Sequence, residues 1–374
     1  MDPWLSNLSG IILLIVALVL LFFRDGFGKA KERGLYRKST VNKTAQAMAD
    51  SLKKLIIQAS QVIIMGHDMA DYDSFGAAVG IAKAVQDLEK RAWVVIDEHN
   101  PAIDKLLELL PPSSVRDALV RTAEVQHVLH PHTLLIIVDT HKPSLLAEPK
   151  LLGKIRDVVV IDHHCRGEEF IPEALMVYVE TTASSTCELV TELLQYLGGQ
   201  VEIGKFEATA LLAGITVDTK NFIYQTGVRT FKAAAYLHSV GADPAIVQKI
   251  LRDDIVTVRK KAEVIRNARI LYGQVALGIS TERSPDAQLL AAKTADALLN
   301  IAEVNAAFVL WPYQGGIAVS GRSTGEINVQ AIMERLGGGG HLTIAAAQIP
   351  DTLVNAEKNL LDILDEVFRE EGNV

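Results

Sequence analysis

The sequence predicts an α/β fold: a mostly parallel sheet covered by helices, then a smaller α/β domain, with one apolar helix ahead of both. Three observations carry this. Short apolar runs without polar alternation recur through the first half and alternate with helical stretches. The same alternation restarts after a long polar helical segment, and an unbroken apolar run opens the chain. Strands buried on both faces read as continuous apolar runs, because neither face meets water, and the intervening helices supply the cover.

Trp4 to Phe23 carries only Ser6, Asn7 and Ser9 as polar side chains and ends in the apolar run Ile11 to Phe23. At about 1.5 Å per residue, a helix of that length spans roughly 30 Å, the thickness of a bilayer core. Met1-Asp2-Pro3 has no basic region and no small-residue cleavage site follows, so a single-pass anchor is expected rather than a signal peptide. Arg24, Lys29, Lys31, Arg33, Arg37 and Lys38 flank it against Asp25 and Glu32, which places everything downstream on the cytoplasmic side of the cell membrane. Cys165 and Cys187 are the only cysteines, too few for a disulfide framework and expected to be reduced there. The formal net charge of −8 excludes a general nucleic-acid coat, which needs basic surface, so no long nucleic acid is expected as partner. A phosphate ligand would need metal ions.

Beyond the anchor, Ala45 to Ser60 reads as an amphipathic helix. The apolar runs Val62 to Met65, Trp93 to Ile96, Leu134 to Val138, Val158 to Ile161 and Met176 to Val179 read as strands. Helical patterns at Ser74 to Lys90, Ser184 to Leu197 and Phe206 to Thr216 supply the covering layers. The polar stretch Pro244 to Ala268 reads as one connecting helix. The second domain then shows a strand at Val275 to Ser280, a helix near Pro285 to Ile301, hairpin strands Ala306 to Trp311 and Gly316 to Ser320, and a helix near Asn328 to Leu336.

The chemistry concentrates where the first domain's strands end. Gly66-His67-Asp68-Met69-Ala70-Asp71-Tyr72-Asp73 follows the first strand, Asp139 closes the third, and Asp162-His163-His164 closes the fourth. Ligands of open α/β sheets bind outside the carboxyl ends of strands, so these residues should converge. One aspartate at a strand end is ordinarily a cap or turn former; three successive ends bearing Asp and His are not. Asp and His without a cysteine cluster suit a harder divalent ion, Mn²⁺ before Zn²⁺. In the second domain, Gly337 to Gly340 precede His341. A glycine run often only ends a helix, but four in succession let backbone approach a ligand closely.

These motifs resemble the DHH phosphoesterase superfamily from about Val62 to Ile349. Its His-x-x-x-Asp-x-Asp motif stands as His67, Asp71 and Asp73, its second as Asp139 in Val-Asp-Thr, the triplet as Asp162-His163-His164, and the fourth as Asp218 in Gly-Ile-Thr-Val-Asp-Thr-Lys. The resemblance implies that His67, Asp71, Asp73, Asp139, His163 and Asp218 bind two metal ions, that Asp162 supports them, and that His164 faces the phosphate. Four aspartates and two neutral histidines carry −4, which two divalent ions neutralise, so that the site accepts a phosphodiester anion. A hydroxide bridging metals about 3.5 to 4 Å apart would then attack phosphorus in line. Ser320-Gly321-Arg322-Ser323 and the glycine loop resemble the DHH-associated C-terminal domain, which implies substrate binding by Arg322, Ser320, Gly338, Gly339, Gly340 and His341 across an interdomain cleft.

Within the superfamily, the GdpP-type cyclic di-AMP phosphodiesterases are the nearest resemblance. It rests on Ile64-Met65-Gly66-His67, Ala183-Ser184-Ser185, Val217 to Phe222 and Thr226 to Phe231. The expected activity is opening of cyclic di-AMP to linear pApA. Hydrolysis of short oligoribonucleotides to AMP and a non-catalytic membrane nucleotide sensor are the alternatives; the complete ligand set speaks against the sensor. That type carries sensory and degenerate cyclase-like domains where this chain has only Arg24 to about Asp50, which puts such regulation in doubt, and Cys165 stands where arginine is common. The expected division is 1–36 anchor and basic segment, 37–243 metal-binding catalytic domain, 244–268 connector helix and 269–374 substrate-binding domain. A homodimer is compatible with all of this.

Overall fold

The computed structural model describes residues 44–97, 100–109, 114–167, 169–199 and 201–371, so the expected anchor and its basic flank lie outside the described residues. Among those described, no helix is long and apolar enough to cross a membrane. The chain divides into two units at Leu251 and Arg252.

In the first unit, helix α1 (44–58) leads into β1 (Gln61–Met65), β2 (Arg91–Ile96), β3 (Leu119–Arg121), β4 (Thr133–Val138), β5 (Asp157–Asp162) and β6 (Met176–Val179). Their order is β3-β2-β1-β4-β5-β6, and each pairing is parallel. The five strands read from apolar runs are present. β3 is not legible as one, since three residues with a half-buried pattern leave too little periodicity. The strand order reverses between β1 and β4, and such a switch point opens the crevice in which α/β sheets bind ligands. The register pairs Met65 with Ile137 and Val138 with Ile161, so the ends of β1, β4 and β5 lie level there.

The unit's helices are α2 (Tyr72–Asp87), α3 (Pro101–Leu109), α4 (Thr186–Tyr196), α5 (Lys205–Asp218), α6 (Val228–Ser239) and α7 (Pro244–Ile250). Phe206 through Thr216 of α5 are all buried, as expected of a helix apolar all round. Gly214 lets α5 approach closely: a Cβ there would lie 2.8 Å from Asp73 Cα and 2.5 Å from Cys187 Sγ. That approach carries Asp218, one turn further on, toward the N-terminus of α2.

The second unit holds α8 (Ile255–Arg266), β7 (Arg269–Leu271), β8 (Val275–Ile279), α9 (Ala287–Leu299), β9 (Ala306–Tyr313), β10 (Gly316–Ser323), α10 (Val329–Arg335), β11 (Gly339–Gly340), β12 (Ile344–Ile349) and α11 (Leu353–Glu371). Its sheet runs β11-β12-β10-β9-β8-β7; β8 and β9 pair in parallel and the other pairings are antiparallel. The single connector helix expected over 244–268 is two helices. α7 ends at Ile250, and the Asp254 carboxylate accepts the backbone N–H groups of Val256 and Thr257 to start α8 afresh.

Candidate metal centre

The loop after β1 reverses into α2 at Asp71, whose Oδ1 accepts the N–H groups of Asp73 (2.9 Å) and Ser74 (3.0 Å). This N-cap turns Asp71 and Asp73 to the same end of the helix. His67 Nδ1 lies 2.9 Å from the Asp68 carbonyl, so the opposite nitrogen, Nε2, faces the carboxylates: 3.7 Å from Asp71 Oδ1 and 3.5 Å from Asp139 Oδ2. Asp139 sits at φ +63°, a left-handed conformation for a non-glycine residue, held by its N–H on the Ile161 carbonyl at 3.0 Å. Backbone strain of this kind, on the order of 1–3 kcal/mol, concentrates at functional sites.

His163 Nε2 lies 3.3 Å from Asp218 Oδ2, 3.6 Å from Asp139 Oδ1 and 3.9 Å from Asp73 Oδ2, and it is buried without a hydrogen-bond partner. Three overlapping groups result: His67, Asp71 and Asp139; Asp73, His163 and Asp218; and Asp139, His163 and His164, each with donor atoms within 4.8 Å of one another. These separations are too long for good hydrogen bonds. They suit a shared cation, since ligands at about 2.1 Å from an ion and at right angles stand about 3 Å apart. The orphaned His163 nitrogen and the all-oxygen-and-imidazole donor set both fit a divalent ion. The structure thus brings together all six residues expected to bind metal.

The close approach of these carboxyls and imidazoles shifts their ionisation. Burial, then the charge of Asp73, push the carboxyls of Asp139 and Asp218 well above the usual range. Burial alone would lower His67, but the Asp139 and Asp71 carboxylates facing its Nε2 outweigh it and push the imidazole up to about 11. Burial likewise opposes ionisation of Asp162, yet its hydrogen bond to His164 prevails and holds it well below the carboxylate range. Asp162 is fully buried. Its Oδ1 meets His164 at Nδ1 (2.8 Å) and accepts the His164 N–H (3.1 Å), while Oδ2 meets His141 Nδ1. His164 itself is 44% exposed at the side chain, free to reach a ligand.

Sequence reasoning missed several residues that hold this centre. Asp97 follows β2 and accepts the N–H groups of Met69 (3.3 Å) and Ala70 (3.1 Å), and Asn100 bonds both Asp97 and the Ala70 carbonyl. The strand-end rule would have found Asp97. His141, buried behind Asp162, had no comparable signal. Thr186 and Cys187 open α4, and their backbone N–H groups meet Asp73 Oδ2 (2.7 Å) and Oδ1 (2.9 Å). The signal there was the capping sequence Ser185-Thr186-Cys187-Glu188. Ser185 Oγ accepts the Glu188 N–H at 3.0 Å; the Glu188 carboxylate reaches instead to the Ser184 and Thr230 hydroxyls, both at 2.7 Å. Of the two free cysteines, Cys165 is exposed and Cys187 buried.

In the second unit, Arg322 is mostly buried on β10. Its Nε lies 3.0 Å from Asp296 Oδ1, and one terminal nitrogen donates to Ser320 Oγ (2.9 Å) and the Gly321 carbonyl (3.0 Å). Gly339 and Gly340 pair with Ala346 and Ala345 as a short edge strand. A Cβ at Gly338 would lie 2.1 Å from the Ala346 carbonyl oxygen, so part of the glycine run serves the sheet. His341 is exposed and its N–H bonds the Ile344 carbonyl at 2.7 Å.

Residues 61–215 match the DHH family, N-terminal domain, and residues 275–370 match the DHHA1 domain. The chain is 43% identical over 353 residues to the cyclic-di-AMP phosphodiesterase GdpP of Geobacillus thermodenitrificans, covering 92% of this chain and 54% of that protein. It is 39% identical over 333 residues to the cyclic-di-AMP phosphodiesterase PdeA of Listeria monocytogenes, covering 87% and 50%. The chain thus spans about half the length of these curated relatives. An exopolyphosphatase-related protein from Bacteroides fragilis has the same fold, with a TM-score of 0.74 at 19% identity, covering 86% of this chain and 96% of that one.

Proposed function

Because the chain belongs to the DHH family and carries both a DHH and a DHHA1 domain, we propose that it is a divalent-metal-dependent phosphodiesterase that opens cyclic di-AMP to linear pApA. One observation carries the chemistry: His67, Asp71, Asp73, Asp139, His163 and Asp218 converge from four segments at the spacing of shared cation ligands. The names of relatives at 39% and 43% identity support the substrate. We assign two ions to the cluster, with Mn²⁺ favoured by oxygen and imidazole donors without thiolate. Bound there, they supply positive charge for the phosphodiester and Lewis acidity toward its oxygens.

The chain's own residues do the rest. Asp162 holds His164 by its Nδ1, which leaves the other ring nitrogen available to a phosphate. In the second unit, Arg322, Ser320 and Gly338 to His341 bind substrate; Asp296 and Ser320 fix the guanidinium so that its remaining donors are presented without loss of side-chain entropy. Time courses in Mn²⁺ with cyclic di-AMP and pApA at equal concentration, products resolved by chromatography, test the assignment. Cyclic di-AMP should be consumed faster and pApA should accumulate. Faster AMP release from pApA would make the protein an oligoribonucleotide hydrolase, and tight binding without turnover would make it a sensor.

The apolar run Trp4 to Phe23 and its basic flank support a single-pass anchor with the catalytic region cytoplasmic. Protease added to sealed, right-side-out vesicles should leave that region intact; its digestion from outside would refute the orientation.

A further inference from the structure

The Asp139 carboxylate belongs to two of the three donor groups. Its Oδ2 faces His67 at 3.5 Å, and its Oδ1 faces His163 at 3.6 Å and His164 at 3.7 Å. It can serve both only while its plane is held, because the terminal torsion of an aspartate is broad and nearly two-fold rather than staggered. Rotating the group about that torsion would turn both oxygens out of place at once. Among the described residues, one side-chain hydroxyl bonds it: Thr186 Oγ1 donates to Asp139 Oδ1 at 3.1 Å, both side chains being buried. The same residue's backbone N–H fixes Asp73 Oδ2, so two carboxylates from different donor groups are referenced to one residue of α4.

The turn bearing Thr186 is itself braced. Glu188, buried two residues on, accepts hydrogen bonds from the Ser184 backbone and hydroxyl and from the Thr230 hydroxyl of α6, and Arg229 lies 3.5 Å from its other oxygen. The Thr186 hydroxyl therefore has a rigid base, which a donor needs if it is to select one rotation of its partner rather than follow it.

We propose that Thr186 is a positioning residue for the metal centre, its hydroxyl setting the rotation of the Asp139 carboxylate so that one oxygen serves each of two ion positions. This rests on the metal-dependent reading above. It adds a requirement beyond the ligand set: replacing the hydroxyl by a methyl group of similar volume should impair metal binding although every ligand is present.

Thr186→Val keeps the backbone N–H to Asp73 and removes only the hydroxyl. Titrating the metal-free full-length protein with Mn²⁺ by calorimetry should show affinity weakened about 10- to 100-fold, the usual cost of removing a hydrogen-bond partner of a ligand. Turnover of cyclic di-AMP should fall at limiting Mn²⁺ and recover in large part at saturating Mn²⁺, with KM for the dinucleotide unchanged. Thr186→Ser, which restores the hydroxyl without the methyl group, should bind Mn²⁺ within about threefold of the parent, a small share of that loss. A fold defect would instead lower the metal-free unfolding midpoint of both variants and would not respond to added Mn²⁺. Parental Mn²⁺ affinity in Thr186→Val, or equal loss in Thr186→Ser, would overturn the proposal. Absence of Mn²⁺ binding by the parent would remove the metal reading itself.

Discussion

Asp71→Asn and Asp218→Asn should each reduce turnover by on the order of a thousandfold while leaving the protein folded. Each takes one negative charge and one ligand from a cluster whose worth to a phosphoryl transition state is several kcal/mol, and each 1.4 kcal/mol is tenfold in rate. The fold survives for reasons particular to each position. Asp71 caps α2 by accepting two backbone N–H groups, and asparagine caps a helix as well as aspartate does. Asp218 is a carboxyl that burial and the charge of Asp73 already push toward its neutral form, so neutral asparagine relieves repulsion in the metal-free protein. The unfolding midpoint in chelator is therefore expected to hold or rise in Asp218→Asn. Activity above a tenth of the parent's in saturating Mn²⁺ would contradict the ligand assignment.

Chelation should abolish activity and lower the unfolding midpoint, with a drop that grows with pH. A metal at a hundredfold excess over its Kd stabilises the native state by about 2.7 kcal/mol per site, or roughly 5–10 °C of midpoint for a unit of this size. The pH dependence follows from the raised groups. His67 at about 11, with Asp139 and Asp218 raised above their ordinary range, means that the metal-free native state holds more protons than the unfolded chain. Stability then falls as pH rises; the His67 contribution is complete below about pH 6.5, its unfolded value, and is lost toward 11. Asp71 and Asp162, whose carboxyls are lowered, act in the opposite sense but only below about pH 4. Between pH 6 and 9 the midpoint in chelator should therefore decline. Metal must displace these same protons, so affinity rises over that range, and the gap between Mn²⁺ and chelator should widen. Scanning calorimetry at pH 6, 7.5 and 9 reads both curves, and a gap that narrows with pH would show that the raised groups are not the ones metal displaces.

The sequence by itself determined the elements long enough to show a period, and the residues at the ends of its clearest strands. β1, β4 and β5 are buried on both faces, so their apolar runs are unbroken and the polar residues that end them stand out. His67, Asp71, Asp73, Asp139 and the Asp162 triplet were legible for that reason. Asp218 was legible only through family resemblance, because it ends a helix that is otherwise apolar and carries no local sign of facing the others. Tertiary structure decided what holds those ligands. Thr186 and Cys187 bond Asp73 across more than a hundred residues, and Asp97 and Asn100 brace the Met69-Ala70 turn from the next strand. No periodicity records such contacts. Residue spacing encodes which face of an element is apolar, a local property, whereas the partner of a polar group is set by how α4 and α5 pack on α2, and this packing exists only once the sheet is covered.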